Sequence, residues 1–221
     1  MVTGATGALG AGVVQALLAR GAVVHAPMME ATPPSHFRHE RVVAAPGVSV
    51  DDEAQVSAFY RGLPALWASI HLVGGFGMAP IAEQTARDLD KQWRINALTC
   101  FLACREAVIA IRRTNAGGGR IVNVGARPVV QPVGGMTAYA AAKAAVASIT
   151  QSLAAELRDE KILVNAVLPS IIDSPANRTS MPTADFAAWP KPDELAEAIA
   201  FLASPANALT SGALVPVYGR A

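Results

Sequence analysis

The feature that most limits the possible folds is a glycine-rich segment from Thr3 to Gly10. It follows a short apolar stretch and precedes a helix-like pattern over 10–20, in which apolar residues share one face. A strand, a glycine turn and a helix in this order form the opening unit of a parallel α/β sheet, and the N-terminus of such a helix attracts anions. The sequence therefore predicts phosphate contacts from this segment, although an ordinary glycine-rich turn is the alternative. The residues concerned are Thr3, Gly4, Thr6, Gly7, Ala8, Leu9 and Gly10.

Strand-like and helix-like stretches alternate along the rest of the chain. Strands are predicted at 22–26, 67–73, 120–124, 162–168 and 213–217, and long helices at 83–113 and 137–158. This alternation predicts an α/β fold of Rossmann type, a doubly wound parallel sheet with helices on both faces. We expect one domain over 1–221. The proline-rich stretch Ser170 to Pro192 is expected to be irregular and to act as a lid at the carboxyl edge of the sheet, where ligands bind.

Charge and hydropathy exclude several classes of function. The formal net charge is +1, so the chain lacks the basic excess of a nucleic-acid-binding protein. No apolar run approaches the length needed to span a bilayer, and no basic segment precedes the apolar N-terminus as in a signal peptide. The sequence therefore predicts a cytoplasmic protein with a small-molecule substrate and no nucleic-acid or membrane partner.

The sulfur and imidazole side chains give no sign of a metal site. Cys100 and Cys104 lie four residues apart on a predicted helix, where they share one face and are typical of small core residues. The histidines show no ligand spacing, so we predict no metal site.

Three polar residues in the predicted helices are candidates for catalysis. Tyr139 and Lys143 are four residues apart, so their side chains project from the same helix face. A nearby ammonium lowers the pKa of a phenol, which favours proton transfer near neutral pH. Asn96 lies inside another helix, where asparagine is unfavourable without a specific role. The alternatives are a chance pair on a solvated face and a structural hydrogen bond.

Taken in order, these motifs resemble the short-chain dehydrogenase/reductase family. The resemblance covers the chain from Thr3 onward and includes the glycine turn, Leu72 to Gly75, Asn96, Gly119 to Val124, Tyr139, Lys143, Val164 to Pro169 and Phe201 to Ser204. It implies a nicotinamide cofactor, NADH or NADPH, with Tyr139 as acid/base, Lys143 holding the ribose and tuning Tyr139, and Asn96 as a third catalytic residue. It also implies cofactor contacts from Gly74, Pro169 and Ser174, and pairing of copies into a homodimer or homotetramer through the two long helices.

The sequence departs from the family pattern at the usual catalytic serine. That position, thirteen residues before the tyrosine, is Ala126, and Thr137 is an imperfect substitute because we expect it to cap its helix. The missing serine and the stretch Leu168 to Trp189 resemble the dihydropteridine reductase branch. This resemblance implies reduction of a quinonoid dihydropterin or a similar compound. A 3-oxoacyl-type carbonyl reductase and a catalytically silent nucleotide-binding protein, acting as redox sensor or scaffold, are the alternatives.

The preference between the two coenzymes stays open. An acidic residue at the end of the second strand would bind the ribose of NAD, but that position is the neutral Met28. Arg38 and Arg41 are candidates for contacting the 2′-phosphate of NADP, or are solvated loop charges. We therefore expect less than about tenfold discrimination. In the lid, Asp173, Arg178 and Asp185 are candidates for facing substrate; the alternative is that they are solvated or pair within the lid. Arg127 is a further candidate for substrate contact.

Overall fold

A computed structural model of the chain describes residues 1–115 and 117–220. In it, strands and helices alternate as the sequence predicts. The strands are β1 (Val2–Thr3), β2 (Val24–Met28), β3 (Val42–Pro46), β4 (Ala68–His71), β5 (Gly119–Val124), β6 (Ile162–Pro169) and β7 (Leu214–Val217). The helices are α1 (Ala8–Ala19), α2 (Glu53–Arg61), α3 (Ala86–Gln92), α4 (Thr99–Thr114), α5 (Thr137–Glu156), α6 (Pro175–Ser180) and α7 (Pro192–Ala203).

All the paired strands run parallel, which confirms the predicted fold class. One sheet has the order β1-β4-β5-β6-β7, and β2 pairs with β3 in a separate sheet. β2 lies against β1, but no hydrogen-bonded ladder joins them within the described part of the chain. The split follows from the length of β1, which offers only two residues for pairing before the glycine turn begins. Both sheets nevertheless direct their carboxyl ends toward the same edge.

Helices cover both faces of the sheet, as a doubly wound fold requires. One apolar cluster joins α1 and α7 to the sheet through Val13, Val14 and Ile199. The other joins α2, α4 and α5 to the opposite face, with Ile111 and Val146 among its buried side chains. Because apolar burial is the main favourable contribution to folding, these two layers fix the positions of the helices that carry the polar candidates.

The helix predicted over 83–113 is interrupted at its centre. α3 and α4 are joined by a π-helical segment, Trp93–Leu98, which contains Asn96. A π-helical segment widens one turn of a helix and is frequent at functional sites. The sequence also indicated a break in this helix near Asp88, whereas the structure places the interruption later, at Trp93–Leu98.

Two local expectations are wrong. Thr137 is the first residue of α5 and Met136 precedes it as the N-cap residue, so Thr137 does not cap this helix. The segment 170–192 is not wholly irregular, because Ser174 caps the short helix α6 by accepting a hydrogen bond from the Asn177 amide. In the described residues, no helix is both long and apolar enough to cross a membrane.

Candidate active site

The glycine-rich turn connects β1 to α1 at the carboxyl edge of the sheet. The Gly7 amide donates to the Gly4 carbonyl at 3.2 Å, and Gly7 is the N-cap residue of α1. No side chain caps α1 and no acidic residue lies in its first turn, which begins with Ala8, Leu9 and Gly10. A side chain at Gly10 would overlap the backbone of Ala5, since a Cβ atom there would lie 2.5 Å from the Ala5 carbonyl oxygen. The turn thus presents an uncapped helix N-terminus, which fits a pyrophosphate.

Asn96 joins the π-helical segment to the loop after β4. Its Nδ2 donates to the carbonyl oxygens of Gly75 and Gln92, both at 3.0 Å, and its Oδ1 accepts from the Gly75 amide at 3.1 Å. The side chain is buried. Asn96 therefore fixes the backbone beside Gly74 and makes the structural hydrogen bonds that the sequence left as an alternative.

The side chain of Lys143, on α5, lies beside the same loop after β4. Its Nζ donates to the Val124 carbonyl oxygen at 2.8 Å. A Cβ atom added at Gly74 would lie 3.0 Å from Lys143 Nζ and 2.8 Å from Asn96 Oδ1, so the structure brings these three residues together. Burial lowers the pKa of Lys143 to about 8, because the charged ammonium loses its hydration.

Tyr139 is half-buried one helical turn before Lys143. The Phe76 ring packs edge-on against it, with 5.1 Å between the ring centroids. Burial raises the pKa of Tyr139 to about 12. The expected lowering of this pKa by Lys143 is therefore not found: loss of hydration dominates, and the phenol is protonated at neutral pH.

The candidate ribose-binding residues lie on the loop between β2 and β3, where they contact different parts of the fold. Thr6 Oγ1 donates to Glu30 Oε1 at 3.1 Å, which places an exposed carboxylate beside the glycine turn. Arg41 donates to the Leu18 carbonyl oxygen at 3.0 Å, near the C-terminal end of α1. Arg41 is therefore engaged with α1 rather than with the glycine turn, while Arg38 is exposed in a 3₁₀ turn.

The acidic and basic side chains of the lid segment pair with one another. Arg178 binds both carboxylate oxygens of Asp173 at 2.6 and 2.8 Å, and its guanidinium stacks on Phe186. Asp185 caps the turn that contains Phe186 by accepting from the Ala187 amide. Of the two alternatives from the sequence, pairing inside the lid is the one observed.

Comparison with known proteins assigns the chain to a family. The sequence pattern of the family described as short chain dehydrogenase matches residues 1–185. The chain belongs to the short chain dehydrogenase family. As a member, it is a nicotinamide-dependent oxidoreductase.

Individual relatives agree with this assignment. D-threitol dehydrogenase of Mycolicibacterium smegmatis is 30% identical over 245 aligned positions, which cover 99% of this chain and 90% of that protein. Alignments with three other curated relatives cover only 54%, 55% and 63% of those proteins. A short-chain dehydrogenase/reductase from Serratia marcescens superposes with a TM-score of 0.88 at 27% identity, covering 100% of this chain and 96% of that one. The structure of ElxO with NADP bound shares the fold, with a TM-score of 0.89 at 21% identity and coverage of 99% and 96%.

The predicted departure at the family serine has a clear structural counterpart. Ala126 is buried in extended backbone just after β5, and its methyl group offers no hydrogen bond. The neighbouring Arg127 donates to Gln131 Oε1 at 2.6 Å and stacks on Tyr218. Pro169 is buried at the end of β6, and Ser174 lies further along the same loop.

One histidine lies beside the two cysteines in space, although the spacing of the histidines along the sequence indicated no metal site. His71, at the end of β4, lies with Cys100 and Cys104 in one buried group, and their ligand atoms are within 4.8 Å of one another. Spacing along the sequence gave no sign of it, because His71 is on a strand and the cysteines are on a helix that packs against it.

Three further residues were missed by the sequence reasoning. Glu30 could have been found as the first acidic residue after β2, had the count extended two positions beyond Met28. Phe76 and Gln92 touch Tyr139 and Asn96 respectively, and only their placement reveals this.

Proposed function

We propose that this protein is an NADH-preferring reductase in which Tyr139 donates the proton, Lys143 holds the nicotinamide ribose and Asn96 positions the loop at Gly74. The observation that supports it best is the convergence of Asn96 and Lys143 on Gly74. A side chain at residue 74 would collide with both polar groups, so the glycine allows the loop after β4 to pack directly against Asn96 and Lys143. The substrate proposed is a quinonoid dihydropterin or a similar delocalised ring.

The glycine turn and the uncapped start of α1 fit the cofactor. Its pyrophosphate would lie against Gly7, Ala8 and Leu9, where backbone amides at a helix N-terminus stabilise negative charge. When bound, the nicotinamide ring supplies a hydride. The contacts inferred from the family for Pro169 and Ser174 lie on the loop after β6, at the same edge of the sheet.

The state of Tyr139 favours reduction over oxidation. With a pKa raised to about 12 by burial, the phenol holds its proton at neutral pH and can donate it. To act as a base in the oxidative direction it would first have to lose that proton. A dehydrogenase acting on a polyol, like the D-threitol dehydrogenase relative, is the second candidate, favoured by its 30% identity over nearly the whole chain.

The absence of a hydroxyl at Ala126 bears on the type of substrate. Reduction of a simple ketone concentrates negative charge on one oxygen, and a dedicated donor stabilises it. Reduction of a quinonoid ring spreads that charge over several atoms, so one proton donor can be sufficient. The lid resemblance to dihydropteridine reductase points in the same direction.

The carboxylate of Glu30 supports the choice of NADH and replaces the expectation of less than about tenfold discrimination, which rested on the neutral Met28 alone. An acidic residue after the second strand accepts a hydrogen bond from the ribose 2′-hydroxyl of NAD. The same carboxylate would repel the 2′-phosphate of NADP. Thr6, which donates to Glu30, holds it beside the turn.

Self-association through α4 and α5 stays a prediction. The α4 side chains Phe101 and Ile109 are about half exposed, which is unusual for large apolar residues. Ala144 on α5 is exposed as well, and its small side chain permits close helix approach. Size determination by light scattering would test it.

The decisive experiment compares substrate classes in the native enzyme and in Ala126→Ser. Oxidation of NADH is followed by absorbance with a quinonoid dihydropterin, a simple ketone and a 3-oxoacyl thioester. Reduction of NAD⁺ is followed in the same way with D-threitol. We expect the native enzyme to favour the quinonoid compound, and Ala126→Ser to raise the ketone rate relative to it. If the native enzyme and Ala126→Ser both preferred the ketone, and to the same degree, the proposal of a quinonoid substrate would be contradicted. Coenzyme binding without turnover of any compound would instead support the catalytically silent alternative.

A further inference from the structure

A buried group of sulfur, nitrogen and oxygen atoms lies between α4 and the sheet. His71 ends β4, Asn123 pairs with it on β5, and Cys100 and Cys104 project from successive turns of α4. All four residues are at most 5% exposed. None has a role in the reaction proposed above, so the reason for burying four polar or reactive groups together must be sought elsewhere.

The distances between these atoms are short. His71 Nδ1 lies 2.8 Å from Asn123 Oδ1 and 3.5 Å from Cys104 Sγ. Cys104 Sγ lies 3.5 Å from Asn123 Oδ1 and 4.0 Å from Cys100 Sγ. Zinc binds sulfur at about 2.3 Å and nitrogen or oxygen at about 2.0–2.2 Å, so tetrahedral ligands lie roughly 3.3–3.8 Å apart. These four distances lie within about 0.5 Å of that range before any adjustment of side chains.

We propose that His71, Cys100, Cys104 and Asn123 form a structural site for one Zn²⁺ ion. Two thiolates, one imidazole and one amide oxygen would complete four-fold coordination without water. Two thiolates also balance the charge of a dication, so the occupied site adds no net charge to the interior, where an unbalanced charge is costly.

The outer contacts of two ligands favour this arrangement. Ser69 Oγ lies 2.7 Å from His71 Nε2, and Tyr60 OH lies 3.4 Å from it, so the imidazole is held by its far nitrogen while Nδ1 faces the sulfurs. Asn123 Nδ2 donates to Thr150 Oγ1 at 2.9 Å, which turns Oδ1 toward the group. Such contacts fix the orientation and tautomer of metal ligands in known sites.

The positions of both sulfurs agree with the geometry. Cys100 Sγ and Cys104 Sγ lie 4.0 Å apart on one face of α4, and both face the His71 ring within the same buried group. Only the thiolate form of cysteine coordinates a metal, so binding of the ion would release the thiol protons. Without metal the same atoms form a hydrogen-bonded network, in which His71 Nδ1–H donates to Asn123 Oδ1.

The site would connect the elements that carry the candidate catalytic residues. Cys100 lies one turn after Asn96, and His71 lies three residues before Gly74. A cation bound to both strands and to α4 would hold the π-helical segment against the loop at Gly74. Its role would be structural, since all four positions are filled by protein.

The test uses the full chain produced in minimal medium with added Zn²⁺ or, separately, Co²⁺. After dialysis against a chelator, we expect about one Zn²⁺ per chain, as for a buried structural site. The cobalt-grown protein should show thiolate-to-cobalt charge-transfer absorption and the visible bands of tetrahedral cobalt. Cys100 and Cys104 are the chain's only cysteines, so Cys100→Ala/Cys104→Ala should lose both signals.

The matched control is Val108→Ala, which truncates a buried α4 side chain that is not a ligand. Val108→Ala should keep its metal. If the cysteine variant lost its metal only because the packing of α4 had loosened, Val108→Ala would lose its metal as well. If the cysteine variant does not fold, the cobalt spectrum of the native protein decides alone. Native protein with less than about 0.1 equivalents of zinc and no thiolate-to-cobalt absorption would overturn the proposal.

Discussion

Gly74 and Lys143 are in contact at the carboxyl edge of the sheet, such that a Cβ atom at residue 74 would lie 3.0 Å from the Lys143 Nζ. The same atom would lie 2.8 Å from Asn96 Oδ1. Gly74→Ala should therefore displace both polar groups, and we expect kcat/KM to fall by at least about tenfold, or about 1.4 kcal/mol of transition-state stabilisation. Gly134→Ala is the control, since no atom lies within 4 Å of the added methyl group. Equal activity of Gly74→Ala and Gly134→Ala would show that the close approach of Asn96 and Lys143 to residue 74 is not needed for activity.

Tyr139→Phe tests the proton donor directly. Removing the hydroxyl should lower turnover by about 10² to 10⁴, the usual scale of acid–base assistance. Tyr60→Phe is the control, because Tyr60 is buried in the apolar cluster on the α2 side and its hydroxyl is hydrogen-bonded to Ser69 Oγ at 2.9 Å. Full turnover in Tyr139→Phe would mean that the proton comes from water or another group.

The pH dependence should follow Lys143 rather than Tyr139. Burial lowers the pKa of Lys143 to about 8 and raises that of Tyr139 to about 12. The ammonium is charged below pH 8 and neutral above it, whereas the phenol keeps its proton throughout this range. Coenzyme affinity and the rate of reduction should therefore fall as the pH rises through about 8. Lys143→Arg, with a group that stays charged, should remove that fall in affinity, whereas a fall that persists in the variant would point to another group.

Glu30 should determine the choice of coenzyme. We expect NADH to bind at least about tenfold more tightly than NADPH, a difference of about 1.4 kcal/mol. Glu30→Gln removes the charge that would repel the 2′-phosphate and should reduce this preference. Glu40→Gln, an exposed carboxylate on the loop before β3, is the control. Binding titrations in which Glu30→Gln and Glu40→Gln behave alike would exclude the carboxylate at residue 30 as the determinant.

The lid segment over 170–192 should open locally more often than β6, which precedes it. Its helix α6 has only six residues, and the Arg178 side chain that pairs with Asp173 is about half exposed, so solvent weakens this ion pair. Hydrogen exchange should be faster in the lid than in β6, and should slow when coenzyme and a substrate analogue bind together. Lid amides as protected as those of β6, and unchanged by ligands, would contradict this.

The sequence predicted the fold because the decisive signals are local. The glycine turn, the apolar face of α1 and the alternation of strands and helices each depend on residues within a few positions of one another. The split between the two sheets could not be predicted, because it depends on whether β1 is long enough to form a ladder with β2 in space.

The sequence predicted those site residues whose spacing along one helix places their side chains on the same face. Tyr139 and Lys143 share a helix face for that reason, and the unusual position of Asn96 marked a special turn. Phe76 and His71 reach their partners across the fold, so no spacing along the chain could reveal them, whereas Glu30 lies two positions beyond Met28 and could have been found by counting. The direction of the Tyr139 pKa was predicted wrongly, because burial depends on the surrounding chain and not on Lys143 alone.

The boundary between the β1 sheet and the β2–β3 sheet has a thermodynamic consequence. A coenzyme that contacts both the glycine turn and Glu30 would span that boundary, so opening the two-stranded sheet would require the ligand to dissociate. The amide protons of the two-stranded sheet should then exchange more slowly by the factor 1 + [L]/Kd, where [L] is the concentration of free coenzyme. The exchange of amide protons at the centre of the five-stranded sheet would respond to the coenzyme only through global unfolding. The fraction of protein with bound coenzyme would thus determine whether the two-stranded sheet opens separately or unfolds together with the five-stranded sheet.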